Sequence, residues 1–523
     1  MTHKKIQKWK ILTFLALSVS LIVIDGTIVN VSLPVIMRDL HFTFTDAEWI
    51  VTIYSLVFSS LLISTGKIAD ILGRRKILIT GIVVFIIGSV MASLSNTLLI
   101  MLVSRFIQGI GGAIVLPTTL STVNTIFKGK DRVIAFAVWG SVISGMAALG
   151  PFLGGFFTTY MDWRWIFWIN IPIGIIIVIG SLMFIPETYG ENQEGMFDFV
   201  GLILSIITFG TIVYGLIEGK DYGWWKVKGN APHINNLSII PYALGIGLSS
   251  LILLVLWELY LTKNKKSPLI ALNIFKFKSF SIGNITACIV AIGEFGLLFL
   301  LPLYLQNVLF MSAMKSGLVL SLMGVSAFFA GGFATPFVNK TSSKTVVSTG
   351  LGLETLSFIG FFLTIKPNSS VWLICLWLII YGIGLGFASA QLTSIVMVDV
   401  PDNQAGQGSS IQSTVRQLGS ALGIAIIGTL FISFLWHDVP GSLKQTDLSQ
   451  VETSQLEKSV IKSAGASISG IKNSPASSIM PITVKNKVVT KLSHSFTHSI
   501  VKTIGVAGSI LFISFVITFL LPK

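Results

Sequence analysis

The chain has 523 residues, 53% of them hydrophobic and only 11% charged, with a formal net charge of +14. A soluble chain of this length carries roughly a quarter of its residues charged to cover its surface, so a soluble globular fold is excluded. The surplus Lys and Arg falls in short segments between apolar runs, where it orients helices rather than binding nucleic acid.

The apolar residues come in blocks of ~20, the length of helix that crosses ~30 Å of hydrocarbon. In chain order the predicted spans are 11–33, 47–66, 77–95, 99–122, 134–158, 165–185, 198–217, 239–261, 280–303, 316–337, 346–365, 371–392, 414–435 and 499–521. The alternation of a membrane β-barrel is absent. The first run lacks a small-residue cleavage site and leads directly into further spans, so it reads as a retained helix. An even number of spans puts both termini on one side. Lys4, Lys5, Lys8 and Lys10, then Lys67, Arg74, Arg75 and Lys76, then Lys128, Lys130 and Arg132, and finally Lys263, Lys265, Lys266, Lys276 and Lys278 all fall on that side. Both termini are therefore expected in the cytoplasm of a plasma-membrane protein. Glu187, Glu191, Glu194 and Asp198 fall on the same side, but acidic residues carry little weight in this rule.

Residues 436–498 form the one long polar segment and are expected outside. Val451, Leu456, Val460 and Ile461 are spaced as a short amphipathic helix, and 479–490 as a hairpin or a stretch lying on the surface. The segment is either a tolerated insertion or a gating or partner-binding element.

The most specific motif is the loop Gly66-Lys-Ile-Ala-Asp70-Ile-Leu-Gly73-Arg74-Arg75-Lys76. Its glycines permit a tight turn and close helix approach, and its charges can pair with one another or with helix ends. The loop resembles that between the second and third helices of the major facilitator superfamily, which latches two helical bundles together. Three further segments resemble motifs of the 14-helix drug:proton antiporters of that superfamily. Asp25-Gly-Thr-Ile-Val-Asn30-Val-Ser-Leu-Pro34 resembles the first-helix motif. Arg105-Phe-Ile-Gln108-Gly109-Ile-Gly111-Gly112 resembles the fourth-helix motif, whose arginine is implicated in proton coupling. Gly150-Pro151-Phe-Leu-Gly154-Gly155 resembles the fifth-helix antiporter motif, although Ser141 stands where its leading glycine is usual. The resemblance implies an all-α polytopic fold of two six-helix bundles plus an inserted pair. The N-terminal bundle would be 1–190, the pair and its linker 191–275, and the C-terminal bundle 276–523. In the second half Pro401–Gly406 and Arg416–Gly423 faintly echo 130–150.

Ionisable residues inside spans are costly and read as functional by default. Asp25, Arg105 and Glu294 lie within ~5 Å of one another in depth, so a central cavity would gather them. Asp25 and Glu294 are expected to bind protons and attract a cationic substrate, with Arg105 modulating Asp25. Glu354 and Glu258 are read as interfacial. All six histidines fall in loops, tails or span ends, which disfavours a histidine relay. Asn30, Tyr54, Gln108, Trp139, Phe295 and Tyr304 are candidates to line the substrate cavity, the aromatic ones by stacking on flat cationic rings. Trp163, Trp165 and Trp168 read as interfacial anchors. Cys288 and Cys375 sit in apolar runs, so neither a metal site nor a disulfide is expected.

No nucleotide-binding loop and no clustered catalytic set is present, so an enzyme or ATP-driven pump is disfavoured. The expectation is a proton-coupled multidrug efflux antiporter for hydrophobic, cationic compounds. It would need no cofactor beyond the proton gradient and would act as a monomer in the bilayer. The alternatives are export of fatty acids, lipids or anionic antibiotics, and a transporter-like sensor acting through 436–498.

Overall fold

A computed structural model describes residues 2–521 apart from 128, 191–197, 230, 265, 267, 271, 339, 402–404, 444–447 and 474–480. The expectations for Lys128, Glu191, Glu194, Lys265 and Asp402, and for the side chains of Trp139 and Ser141, lie outside the described residues.

Helices occupy the predicted spans in order. They are α1 (Thr2–Asp39), α2 (Phe44–Leu72), α3 (Arg74–Ser93), α4 (Leu98–Ile126) and α5 (Gly129–Tyr160), then the short α6 (Trp165–Trp168) leading into α7 (Asn170–Phe184). Next come α8 (Phe199–Tyr222) and α9 (Ile239–Lys263), joined through a two-residue hairpin, β1 (His233–Ile234) with β2 (Leu237–Ser238). Asn235 and Asn236 both have positive φ, which is what the tight turn between those strands requires. The chain continues with α10 (Lys278–Asn307), α11 (Ala313–Val338), α12 (Ser343–Thr364), α13 (Val371–Met397), α14 (Ala405–Asp438), α15 (Gln450–Lys462), α16 (Ala466–Asn473) and α17 (Ile482–Thr518). Among the described residues 12 helices are long and apolar enough to cross a membrane, and α2, bent by 53° near Ile63, makes a further span. The 32-residue α5 covers the span expected at 134–158.

The polar segment is shorter than predicted, because α14 runs on to Asp438 and α17 begins at Ile482. The amphipathic helix is α15, opened by a capping box in which Ser449 and Glu452 each satisfy the other's backbone N–H. No hairpin or surface-lying stretch forms at 482–490. Those residues are the first turns of α17, with Val488 fully buried. Asp438 ties the two long helices together, accepting from Lys502 Nζ at 2.7 Å and Ser499 Oγ at 3.0 Å.

Helices α1 to α7 pack on one another, as do α10 to α14 with α17, while α8 and α9 pair side by side. One face of the protein carries the chain ends and the 66–76 loop and is called here the terminal face. The opposite, or cap, face carries α15 and α16. The two helix sets meet chiefly along α5 with α11 and α2 with α14. The described contacts between them concentrate toward the cap face. Gln306 Nε2 donates to Val31 O at 2.8 Å, and the Met314 amide to Thr159 Oγ1 at 2.8 Å. Phe44 packs on both Phe299 and Phe431, at ring separations of 5.3 and 5.6 Å.

The inserted pair is built into this closure. Lys220 of α8 forms a fully buried ion pair with Glu48 of α2. Trp49 Nε1 donates to Glu218 Oε1 at 2.7 Å, Thr45 Oγ1 to Asp221 at 2.6 Å, and Thr429 of α14 donates to Leu216 O at 2.8 Å. Helix α8 thus holds one helix from each set. Lys220→Met strands the buried Glu48 charge and is expected to destabilise the protein by ~3–5 kcal/mol in detergent thermal unfolding. The double variant Glu48→Gln/Lys220→Met should recover most of that loss.

Candidate functional site

The N-terminal helices enclose a buried polar network. Asp25 on α1 and Arg105 on α4 are both fully buried, and Arg105 Nη1 donates to Asp25 Oδ2 at 2.6 Å. The same Nη1 lies 2.7 Å from Gln108 Oε1, and Arg105 Nε donates to Ile50 O at 3.1 Å. The other oxygen of Asp25 accepts from Gln108 Nε2 at 3.1 Å and Asn170 Nδ2 at 3.0 Å. Both amides also reach Ser89 Oγ, at 2.9 and 3.2 Å. The guanidinium lies 4.4 Å from the ring centroid of Tyr54, in cation–π contact. Five helices, α1 to α4 and α7, therefore converge on one carboxylate and one guanidinium.

The glycines of the fourth-helix motif make this convergence possible. A Cβ on Gly109 would lie 2.9 Å from Tyr54 O, and one on Gly111 would lie 2.7 Å from the Phe85 amide nitrogen. Larger residues would push α2 and α3 off α4 and pull the network apart.

Glu294 does not join this network. It pairs with Arg416 of α14 at 3.3 Å, with Arg416 half-exposed and Glu294 nearly buried. The three charged residues expected together are thus split between the two helix sets, because depth along a helix says nothing about the direction a side chain takes. Glu354 and Glu258 are both fully buried; Glu354 is not interfacial, whereas Glu258, five residues from the end of α9, keeps the depth expected of it. Helix α12 begins at Ser343 and ends at Thr364, which puts Glu354 near its middle. Glu258 packs where α8 and α9 meet, beside Asp198. Trp163 is buried rather than an interfacial anchor, donating to Asp39 at 2.8 Å, whereas Trp165 is exposed.

The 66–76 loop closes on its own half of the chain. Arg74 pairs with Asp70 at 2.8 Å and also bonds Thr125 at the end of α4. Arg75 lies 3.7 Å from Glu187, whose Oε1 accepts from the Arg75 amide at 2.8 Å and so caps α3. The Arg74 amide donates to Thr188 O and the Gly190 amide to Asp70 O, both at 2.9 Å. Gly73, with φ of +106°, forms the turn, and Gly66 packs on Pro117. Glu187, which carries no weight in the charge rule for topology, is thus a structural partner of the motif.

The fifth-helix motif lies between sets. A Cβ on Gly154 would come 2.5 Å from Ile28 O of α1, and one on Gly155 the same distance from Ala313 O of α11. Gly150 packs on Thr27, and the carbonyl of Pro151 abuts Gly317. The motif is the contact surface of α5 with both neighbours.

Of the cavity candidates, Tyr54 and Gln108 belong to the polar network. Asn30 is buried with both side-chain polar atoms unpartnered. Tyr304 is fully buried and bonds Lys366 O at 2.6 Å, so it packs rather than lines a cavity. Phe295 is partly buried against the core. Sequence reading missed Ser89, Asn170 and the Glu48–Lys220 pair. Asn170 stands inside an apolar run and was open to the same reasoning as the charged residues. Glu48 and Lys220 escaped it because they lie near predicted span ends.

Membrane-length helices in two sets, each carrying a charge pair between its helices and meeting along small-residue surfaces, are the architecture of a polytopic transporter. The model of the Major Facilitator Superfamily matches residues 15–424, and the chain belongs to that superfamily. Riboflavin transporter RibZ of Clostridioides difficile is 30% identical over 432 residues, covering 83% of this chain and 90% of that protein. Multidrug efflux pump LfrA of Mycolicibacterium smegmatis is 29% identical over 447 residues, covering 84% and 85%. The fold matches a bacterial homologue of the human lysosomal transporter Spinster, crystallised inward-facing and unoccupied, with a TM-score of 0.62, 15% identity and 98% of each chain covered.

Arg105 holds Asp25, Gln108 and Ile50 O while stacking on Tyr54, a set of contacts that a lysine ammonium cannot reproduce. Arg105→Lys is expected to lower stability in detergent by ~2 kcal/mol, the scale of losing charge-assisted hydrogen bonds in a buried site. An unchanged melting temperature would show that the network is not what holds α1 to α4.

Proposed function

We propose that the protein is a proton-coupled multidrug exporter of the plasma membrane, moving hydrophobic cations such as quaternary ammonium compounds and dyes outward. The observation that carries the reading is the buried Asp25–Arg105 pair, which fixes α1 to α4. A proton on Asp25 cancels its charge, leaves Arg105 without its counterion and loosens α1 from α4. Deprotonation restores the grip. The similarity to a multidrug efflux pump supports export, and the proton gradient is the energy source, with no other cofactor.

The terminal face is taken as cytoplasmic, following the lysines and arginines of its loops. The bundles 1–190 and 276–523 then touch on the outer side, so the conformation is inward-facing. Protein closed outside and open inside receives substrate from the cytoplasm or inner leaflet, and rocking of the bundles about Gly155 and Gly317 exposes it outside. The protein acts as a monomer, since each bundle contributes its own charge pair. A second reading, export of a flat flavin-like molecule, is favoured by the identity with RibZ over most of both chains.

The test is ethidium transport in proteoliposomes under an imposed pH gradient. The wild-type protein is expected to transport ethidium only with the gradient, and Asp25→Asn to reduce the rate on the order of 100-fold. Undiminished gradient-driven transport by Asp25→Asn removes Asp25 from the mechanism. Riboflavin transport without ethidium transport favours the second reading.

A further inference from the structure

The C-terminal helices contain a carboxyl group that nothing above uses. Glu354 on α12 is fully buried, and neither of its carboxyl oxygens has a hydrogen-bond partner. It is pressed against α13, where a Cβ on Gly384 would lie 2.9 Å from both its Cγ and its backbone nitrogen. Tyr381, one turn earlier on α13, is also fully buried with its hydroxyl unpartnered. The charged groups that act on Glu354 come from two other helices, Glu294 of α10 and Arg416 of α14. Tyr381 feels the same two together with Glu354. Helix α17 also packs on α12, but through Phe515 against Gly352 and Phe358 against Gly508. Its lysines, Lys485 to Lys502, lie toward the cap face.

The charges do not balance if every acid is ionised. Arg416 already neutralises Glu294 at 3.3 Å. An ionised Glu354 would add a second buried negative charge beside a single guanidinium, with neither of its oxygens hydrogen-bonded in this conformation, which is unfavourable. The neutral acid avoids that cost and leaves its O–H free to donate. Arg416 is half-exposed while Glu294 and Glu354 are not, so the cluster reaches the surface through Arg416.

We propose that Glu354 is a second proton-binding site, separate from Asp25, which carries its proton in this conformation and gives it up in exchange for a cationic substrate. On exchange the Glu354 O–H bond breaks, the proton passes to water on the Arg416 side, and the Arg416 guanidinium turns from Glu294 toward the new carboxylate. The cluster gains one negative charge, which the substrate cation balances. Tyr381 is the positioning donor that meets the carboxylate once it forms. The proposal rests on the proton-coupled export reading, which it extends with a second carrier.

The test is infrared difference spectroscopy of the full-length protein in lipid, following the C=O stretch of protonated carboxyl groups. At neutral pH the wild-type protein is expected to show this band. Glu354→Gln should remove it, Glu354→Asp should shift it, and Asp25→Asn and Glu258→Gln should retain it. Adding ethidium should diminish the band in the wild-type protein. A wild-type spectrum without the band overturns the proposal without recourse to any variant, and so does a band unchanged in both Glu354 variants. Failure of the underlying reading is distinct: wild-type ethidium transport would then ignore an imposed pH gradient, whatever the band does.

Discussion

The buried pair of Asp25 and Arg105 is the constraint on which the N-terminal helices depend. Two opposite charges in a dry interior are tolerable only in close contact and with their remaining hydrogen-bonding capacity met. Gln108, Asn170, Ser89, Ile50 O and the ring of Tyr54 meet most of that demand, and with Asp25 itself they tie five helices together. The relative positions of those helices follow from the demand. Arg105 Nη2 remains without a partner, so the network is not closed. A network with one unmet donor and one titratable acceptor can be switched, whereas a purely apolar seam of the same shape would be stable but inert.

The contact between the two helix sets is of a different kind. Along α5 and α11 backbone meets backbone, through Gly155 and Gly317, with few polar bonds crossing. Surfaces of small residues can slide or separate without stranding charges. The inserted helix α8 modifies this arrangement by placing the Glu48–Lys220 pair on α2 and a hydrogen bond from Thr429 on the side of α14. Opening the cap face must therefore either carry α8 along or break a buried ion pair. In the transport cycle proposed here α8 moves with α2, and the Thr429 bond is the one that yields.

Much of this was legible in the sequence, for identifiable reasons. Span positions followed from apolar length, because a bilayer demands it of every crossing helix. Asp25 and Arg105 stood out from the cost of charged groups in lipid and Gln108 from the fourth-helix motif, and the structure places all three in one network. Azimuth was not legible. The number of residues to a helix end gave Glu294 the same depth as Asp25, but its side chain meets Arg416 instead. Helix extension was not legible either: α17 reaches back to Ile482, so residues resembling a surface stretch became part of a long helix. Glu354 was misjudged because its position along 346–365 was read as nearer the inner end, whereas α12 runs from Ser343 to Thr364 and centres it, and its burial among neighbouring helices has no signal in the sequence.

The central claim is that protons and substrate exchange through buried carboxyl groups. The most direct measurement is proton movement itself, read with a pH dye trapped in proteoliposomes when ethidium is added with no gradient imposed. The account predicts a substrate-driven pH change opposite in direction to ethidium movement in the wild-type protein and none in Asp25→Asn. Ethidium movement with no accompanying proton flux, or equal flux in both proteins, would contradict it.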